Sequence, residues 1–376
     1  MDTNNNISQL HKKSKLKLRD TAFVDLMKRR IFNVLIIANP YDAFMLEDDG
    51  RVDEKIFDEY AKLGLRYPPR FFQASNQETV YNLMSHNTFD LIICMPGAEN
   101  NDVFDIAREL KDKYSNIPIV ILTPFSHGIT RRMEHEDLEA FEYVFCWLGN
   151  TELLLSIIKL IEDKMNLEHD LEDGVQMILL VEDGIRFYSS MLPILYHFVL
   201  QQSLAFATEA LNSQLEMLRM RGRPKIVLAR NYEEAWSLYS KYSDNVLGVI
   251  SDCRFPMVNS KDKGKLNLIP NGDDKDELAG YKLLTAIRSV DEYVPLVLAS
   301  SETDKRTYAA KCGASFIDKN SKKLNQDIKD VLTKHFGFAD FSEDRRTSVP
   351  AVSHDPWGVG ITYAGYLLLL LSMLGF

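Results

Sequence analysis

Short, fully apolar runs recur along the chain, separated by stretches whose apolar residues fall at helical spacing. The first such run, Ile31–Ala38 (IFNVLIIA), is β-branched and reads as a buried strand. A helical stretch at 41–65 follows and stops at Tyr67-Pro68-Pro69. Strands are predicted at 70–74, 89–94, 119–123 and 143–146, with helices at 77–85, 102–114, 128–139 and 152–165. The alternation then restarts. Strands are predicted at 177–183, 224–229, 246–252, 295–301 and 314–319, with helices at 187–220, 232–242, 278–290, 304–312 and up to about His335. Strands alternating with helices argue for parallel sheets covered on both faces. The two halves repeat one plan at a period of about 145 residues, with VLIIAN beside ILLVED and IPIVILT beside VPLVLAS. The expected fold class is therefore α/β, built from two (βα)5 units.

Composition refines the boundaries. A chain of 376 residues suggests two domains. The expected division is a basic arm at 1–30, a first α/β domain at 31–165, an acidic linker at 166–175, a second α/β domain at 176–336 and a tail at 337–376. The arm holds eight Lys/Arg between Lys12 and Arg30. It reads either as a flexible segment entering a short helix near Thr21–Arg30, or as a patch for an acidic partner or membrane surface. It has no apolar core and does not read as a secretory signal. A net charge of −10 argues against a whole-molecule surface for nucleic acid. Cys94, Cys146, Cys253 and Cys312 form no C-x-x-C pair, which argues against structural zinc or a disulfide framework and fits a cytoplasmic setting.

Candidate chemistry lies at the strand ends of the second half. The first strand ends in Glu182-Asp183, the third in Asp252, the fourth in Ser300-Ser301 and the fifth in Lys319. In an open parallel sheet, ligands bind at the carboxyl ends of the strands, beside the switch in strand order. Three carboxylates brought together there need a cation, and Mg²⁺ suits an all-oxygen site with few protein ligands. A carboxylate in such a site can accept a phosphoryl group, with an amine and a hydroxyl offsetting charge on its oxygens.

Over about 176–335 the chain resembles a response-regulator receiver domain, through ILLVED, ISDCRFP, LAGYKLLTAIRS, PLVLASSE and GASFIDK. The resemblance implies a flavodoxin-like fold. It puts Glu182 and Asp183 on the metal-binding acidic pair and Asp252 on the phosphoacceptor. The Arg254 backbone carbonyl falls on the metal shell, Ser300 on the switch hydroxyl, Phe316 on the switch aromatic and Lys319 on the invariant lysine. Three features depart from the pattern. Asn320 stands where receivers carry proline, so the usual cis peptide is not expected. Asp183 and Asp252 are 69 residues apart, the excess lying in the predicted helix at 187–220. A polar insertion at 258–277 follows the third strand and reads as a flexible surface loop, either covering the site or hanging free.

The first half resembles a receiver that has lost its chemistry, a pseudo-receiver. Asn39-Pro40 replaces the acidic pair, Met95 the phosphoacceptor, and Cys146 or Trp147 the lysine, while Thr123 keeps the hydroxyl. Asp42 and Asp102 leave an off-register site open.

The helix predicted at 187–220 would span about 50 Å, more than one sheet covers. Pro193 should kink it early or mark its true start. The surplus packs on the first domain or pairs with a second chain as a homodimer. Trp357–Phe376 carries no charge and is long enough for a membrane anchor. The other readings are a docked apolar segment or the edge of a longer protein. DAFMLEDDGR, LRYPPRFF and KHFGFADF resemble the N-terminal region of phosphoenolpyruvate-synthase-like bacterial proteins.

The resulting expectation is a phosphorelay protein rather than an enzyme. A sensor histidine kinase or small phosphodonor would phosphorylate Asp252 with Mg²⁺, and the output would be a protein contact. The alternatives are a non-phosphorylated receiver-like scaffold, or a regulatory region of a phosphoenolpyruvate-synthase-like protein. A nucleotide-binding enzyme is disfavoured by the lack of a glycine-rich phosphate loop.

Overall fold

The structure, a computed structural model, describes residues 25–47, 51–97, 103–124, 133, 135–147, 149–207, 220–258, 275–336 and 338. The first lobe comprises β1 (Asn33–Ala38), α1 (Pro40–Glu47), α2 (Val52–Lys62), β2 (Arg70–Ala74), α3 (Gln77–His86), β3 (Leu91–Met95), α4 (Val103–Lys113), β4 (Ile119–Thr123), β5 (Tyr143–Cys146) and α5 (Thr151–Glu172). The second comprises β6 (Met177–Val181), α6 (Ile185–Ala207), β7 (Lys225–Ala229), α7 (Tyr232–Tyr242), β8 (Val246–Asp252), β9 (Phe255–Pro256), β10 (Lys275–Asp276), α8 (Ala279–Val290), β11 (Leu296–Ser300), α9 (Arg306–Lys311), β12 (Ser315–Asp318) and α10 (Leu324–His335).

Each lobe is built on a five-stranded parallel sheet, in the orders β2-β1-β3-β4-β5 and β7-β6-β8-β11-β12. Counted from the first strand of each sheet, both orders are 2-1-3-4-5, the flavodoxin-like arrangement. The central strands are buried at almost every position, which is why they read as unbroken apolar runs. Helices begin where side-chain caps satisfy free N–H groups: Asn76, Asn150 and Asn231 accept from Thr79, Glu152 and Glu234.

Pleat alternation divides the second lobe's core. Ile178 and Leu180 face one side of β6 and join an apolar core continuous with the first lobe. Met177, Leu179 and Val181 face the other side, under α7 and α8. The helices α5, α6 and α10 cover the shared side.

Several expected boundaries move. The acidic stretch expected as a linker from 166 is the end of α5, which runs to Glu172. It is helical because its polar residues have buried partners. Asp170 accepts from the Met27 amide and pairs with Lys225 at 2.6 Å, while Asn166 bonds both the amide and the carbonyl of Arg29. The same bonds hold residues 28–32 as a non-helical strap against α5, so the helix expected up to Arg30 does not form there. The helical stretch at 41–65 is two helices, α1 and α2. Of the helix expected at 128–139, Met133 is helical, residues 135–139 are not, and the remainder lies outside the described residues. The N-terminal 24 residues, 208–219, most of the polar insertion (259–274) and the apolar run at 357–376 lie outside the described residues.

Of the predicted long helix, Ile185–Ala207 is described, with Pro193 inside it. Proline there removes the hydrogen bond to the Ser189 carbonyl yet does not end the helix. Tertiary contacts hold α6 on the first lobe: the Tyr188 hydroxyl donates to the Val144 carbonyl, and Ser189 Oγ accepts from the Cys146 amide at 2.9 Å. Packing on the first domain is thus the observed use of the part described. No helix among the described residues is long and apolar enough to cross a membrane.

Candidate functional site

β6 and β8 are neighbours at the centre of the second sheet, and the chain runs from β6 to β7 on one side and then crosses to β8 on the other. The carboxyl ends of these strands border a cleft of about 340 Å³. Glu182 and Asp183 follow β6 directly, and Asp252 closes β8. Parallel pairing sets Ala299 beside Asp252 and so brings Ser300, the last residue of β11, to the same rim. Pairing of β11 with β12, extended by the Lys319 amide to the Ser300 carbonyl at 2.9 Å, delivers Lys319.

Lys319 Nζ lies 2.7 Å from Asp252 Oδ1 and also pairs with Glu182 Oε2. Its ammonium stacks 4.3 Å from the Phe187 ring centroid. The Cys253 amide donates to Asp252 Oδ1 at 2.7 Å. Both contacts fall on Oδ1, and Oδ2 carries neither. Ser300 Oγ accepts from the Glu302 amide at 3.1 Å.

The charges are unequal in number. Glu182, Asp183 and Asp252 offer ligand oxygens within 4.8 Å of one another. Burial and the Asp252 charge push the Glu182 carboxyl up to about 8, against the pull of Lys319. Burial also raises Asp183, opposed by Lys275. Asp183 is 3 % exposed, and its Oδ1 is buried without a hydrogen-bond donor. A hard divalent cation would satisfy that oxygen and relieve the crowding, so the residues fit Mg²⁺. A second carboxylate–histidine group among the described residues, Glu59, Glu152 and His197, also comes within 4.8 Å, but Glu59 is already paired with Lys62 at 2.6 Å.

Six of the seven expected site residues border this one cleft: Glu182, Asp183, Asp252, Arg254, Ser300 and Lys319. Arg254 is exposed and pairs with Glu277 at 3.1 Å. Phe316 does not line the cleft: it sits half-buried on β12 with the Arg306 guanidinium 5.1 Å from its ring centroid. The peptide after Lys319 is trans. Asn320 holds the turn instead, with its side chain donating to the Ser301 carbonyl at 3.1 Å.

Sequence reading missed three participants. Lys275, at the end of the polar insertion, reaches Asp183 Oδ2 at 2.7 Å, so this end of the insertion adjoins the site rather than hanging free. Antiparallel pairing of β10 with β9 places it there, a bridge too short to leave a periodic signal. Phe187 is the second, and its spacing from Asp183 resembles ordinary helix core. Gly280 is the third. Its amide donates to the Cys253 carbonyl at 2.9 Å, and any Cβ there would overlap the Asp252 carbonyl oxygen. Only glycine lets α8 start so close to the end of β8.

At the matching end of the first sheet, Asn39 caps α1 by accepting from the Asp42 amide at 2.8 Å and donating to Asp42 Oδ2. Met95, Thr123 and Cys146 are buried. Asp102 lies outside the described residues. No family model matches the chain, and no curated protein matches it in sequence.

Proposed function

We propose that the chain is a phosphoryl-accepting signalling protein in which Asp252 is the acceptor and the first lobe is silent. The observation that carries this reading is the Lys319 ammonium bridging Glu182 and Asp252 beside the Asp183 oxygen that lacks a donor. Asp252 Oδ2 attacks the phosphorus of a phosphohistidine or acyl phosphate. The new O–P bond forms as the donor's P–N or P–O bond breaks, and the leaving group takes the electron pair. Lys319 offsets charge on the transferred group's oxygens, and the Ser300 hydroxyl donates to one of them. Glu182, Asp183 and Asp252 would hold Mg²⁺, which would supply further charge compensation to the transferred group. The added charge then redirects Ser300 and Lys319, altering the face of β11 and β12 that a protein partner reads. A sensor kinase or small phosphodonor serves as the source.

Incubation with Mg²⁺ and radiolabelled acetyl phosphate tests this. Label enters the wild-type chain and not Asp252→Asn; label retained by a folded Asp252→Asn overturns the assignment.

One observation favours a second reading, a receiver-like scaffold that is not phosphorylated. Lys275 Nζ already neutralises Asp183, and a built-in cation there competes with a metal. That reading expects no Mg²⁺-dependent label on either chain.

A further inference from the structure

A second cavity, of about 50 Å³, lies at the seam between the lobes. Its described lining includes five cationic side chains, Arg30, Arg66, Lys159, Arg221 and Arg223, and no carboxylate. This is unexpected in a chain of net charge −10. Two of the five are anchored from behind. Lys159 pairs with Glu162 at 2.8 Å, and Arg223 forms a fork on Asp163 with contacts of 2.7 and 3.0 Å. Arg30, Arg66 and Arg221 add three further guanidinium groups around the same space. Burial and the Arg30 charge pull Arg221 below the ordinary arginine value.

The walls are fixed by independent devices. Arg30 lies on the strap held by Asn166 and Glu162. Arg66 follows the turn that ends α2. In that turn the Gly64 amide donates to Ala61 at 3.2 Å and the Leu65 amide to Tyr60 at 2.8 Å, with Gly64 at φ 61°. This double bond pattern is the glycine-terminated helix end, and it aims the next residues reproducibly. The same Gly64 packs directly on Leu204 of α6, where any Cβ would collide. Arg221 and Arg223 precede β7 in the second lobe. Three separately anchored segments thus bring positive charge to one small opening.

We propose that this cavity binds a tetrahedral oxyanion, inorganic phosphate or the terminal phosphate of a small monoester, across the seam between the two lobes. Room for one water takes about 10–15 Å³ of such volume, so the space suits a group of a few oxygens and excludes a nucleotide base. Guanidinium groups match phosphate geometry with paired N–H donors. Because its ligands come from the strap, the first lobe and the second lobe, a bound oxyanion ties the three together. The site is separate from the Asp252 cleft and does not depend on its chemistry.

The test is calorimetric titration of the full-length Asp252→Asn chain in EDTA, which keeps phosphate from the other cleft. Inorganic phosphate and glycerol phosphate are titrated separately, and the tighter of the two identifies the source. Saturable binding is expected for at least one. Arg66→Gln and Arg221→Gln should each weaken it about tenfold, the effect of one lost charge-assisted contact. Lys305→Gln, at the Asp252 cleft, should leave it unchanged. If Arg221→Gln does not fold, the exposed Arg66→Gln decides alone. Absence of saturable heat with both ligands at millimolar concentration, or equal affinity in Arg66→Gln, overturns the proposal.

Discussion

The carboxyl ends of the two sheets can be compared strand by strand, since both sheets have the same order. In the second sheet, the rim carries Glu182, Asp183, Asp252, Ser300 and Lys319 around an open cleft. In the first, Asn39 spends its side chain capping α1, and Thr123, Met95 and Cys146 are buried. The edge strand of that rim serves as a dock: Val144 accepts from Tyr188 and the Cys146 amide donates to Ser189, both on α6. One backbone plan therefore supports two uses. Where charged side chains converge, the strand ends border a cleft. In the first sheet, the end of β5 instead serves as structural surface for the other lobe.

The largest expected effect breaks the lobes as a pair. Asp163 is fully buried and binds Arg223, the Tyr196 hydroxyl and the Ile226 amide. Asp163→Ala strands a buried guanidinium and should cost about 3–5 kcal/mol. Because the apolar core is shared, urea unfolding should remain one transition seen equally by probes in both lobes; two separated transitions contradict a common core.

A smaller effect is expected within the second rim alone. Gly280→Ala pushes α8 off the end of β8 and should cost about 1–3 kcal/mol, as overpacking does. Calorimetry should show Mg²⁺ binding weakened together with stability, since Asp252 moves with the strand end.

The rim should also set a pH dependence. Glu182 is held at about 8 against an ordinary 4.5, so the folded state binds its proton more tightly than the unfolded state. Its stabilising contribution is complete below about pH 4.5 and disappears as pH rises through about 8. Melting temperatures without divalent cations should fall across that window, less steeply in Glu182→Gln. Added Mg²⁺ should raise the melting temperature more at the alkaline end. An identical slope in Glu182→Gln rules out this origin.

The smallest effect concerns Lys275. Lys275→Ala removes the cation beside Asp183 and should tighten Mg²⁺ by a few-fold, on the order of 1 kcal/mol. Unchanged affinity means the lysine yields freely to the metal.

The architecture was legible because parallel strands buried on both faces leave unbroken apolar runs. Ile31–Ala38 and Val246–Asp252 needed only trimming or none. Five residues of the cleft, Glu182, Asp183, Asp252, Ser300 and Lys319, were legible because strand ends locate them without any loop geometry, whereas Arg254 came from the resemblance alone. The end of α5 was not. Asp170 and Asn166 look like linker residues until their buried partners, Lys225 and the strap, are known, and those lie far away in sequence. Lys275 and Gly280 were hidden for a similar reason. One depends on a two-residue bridge, the other on how closely a helix approaches a strand. Phe316 is placed by its motif on β12, half-buried with the Arg306 guanidinium against its ring and away from the cleft.

The central claim is that only one of the two rims accepts a phosphoryl group. Intact mass measured after incubation with Mg²⁺ and acetyl phosphate counts the groups added per chain. The account predicts one addition in the wild-type chain and none in Asp252→Asn. No addition to a folded wild-type chain, or an addition that survives in Asp252→Asn, contradicts it.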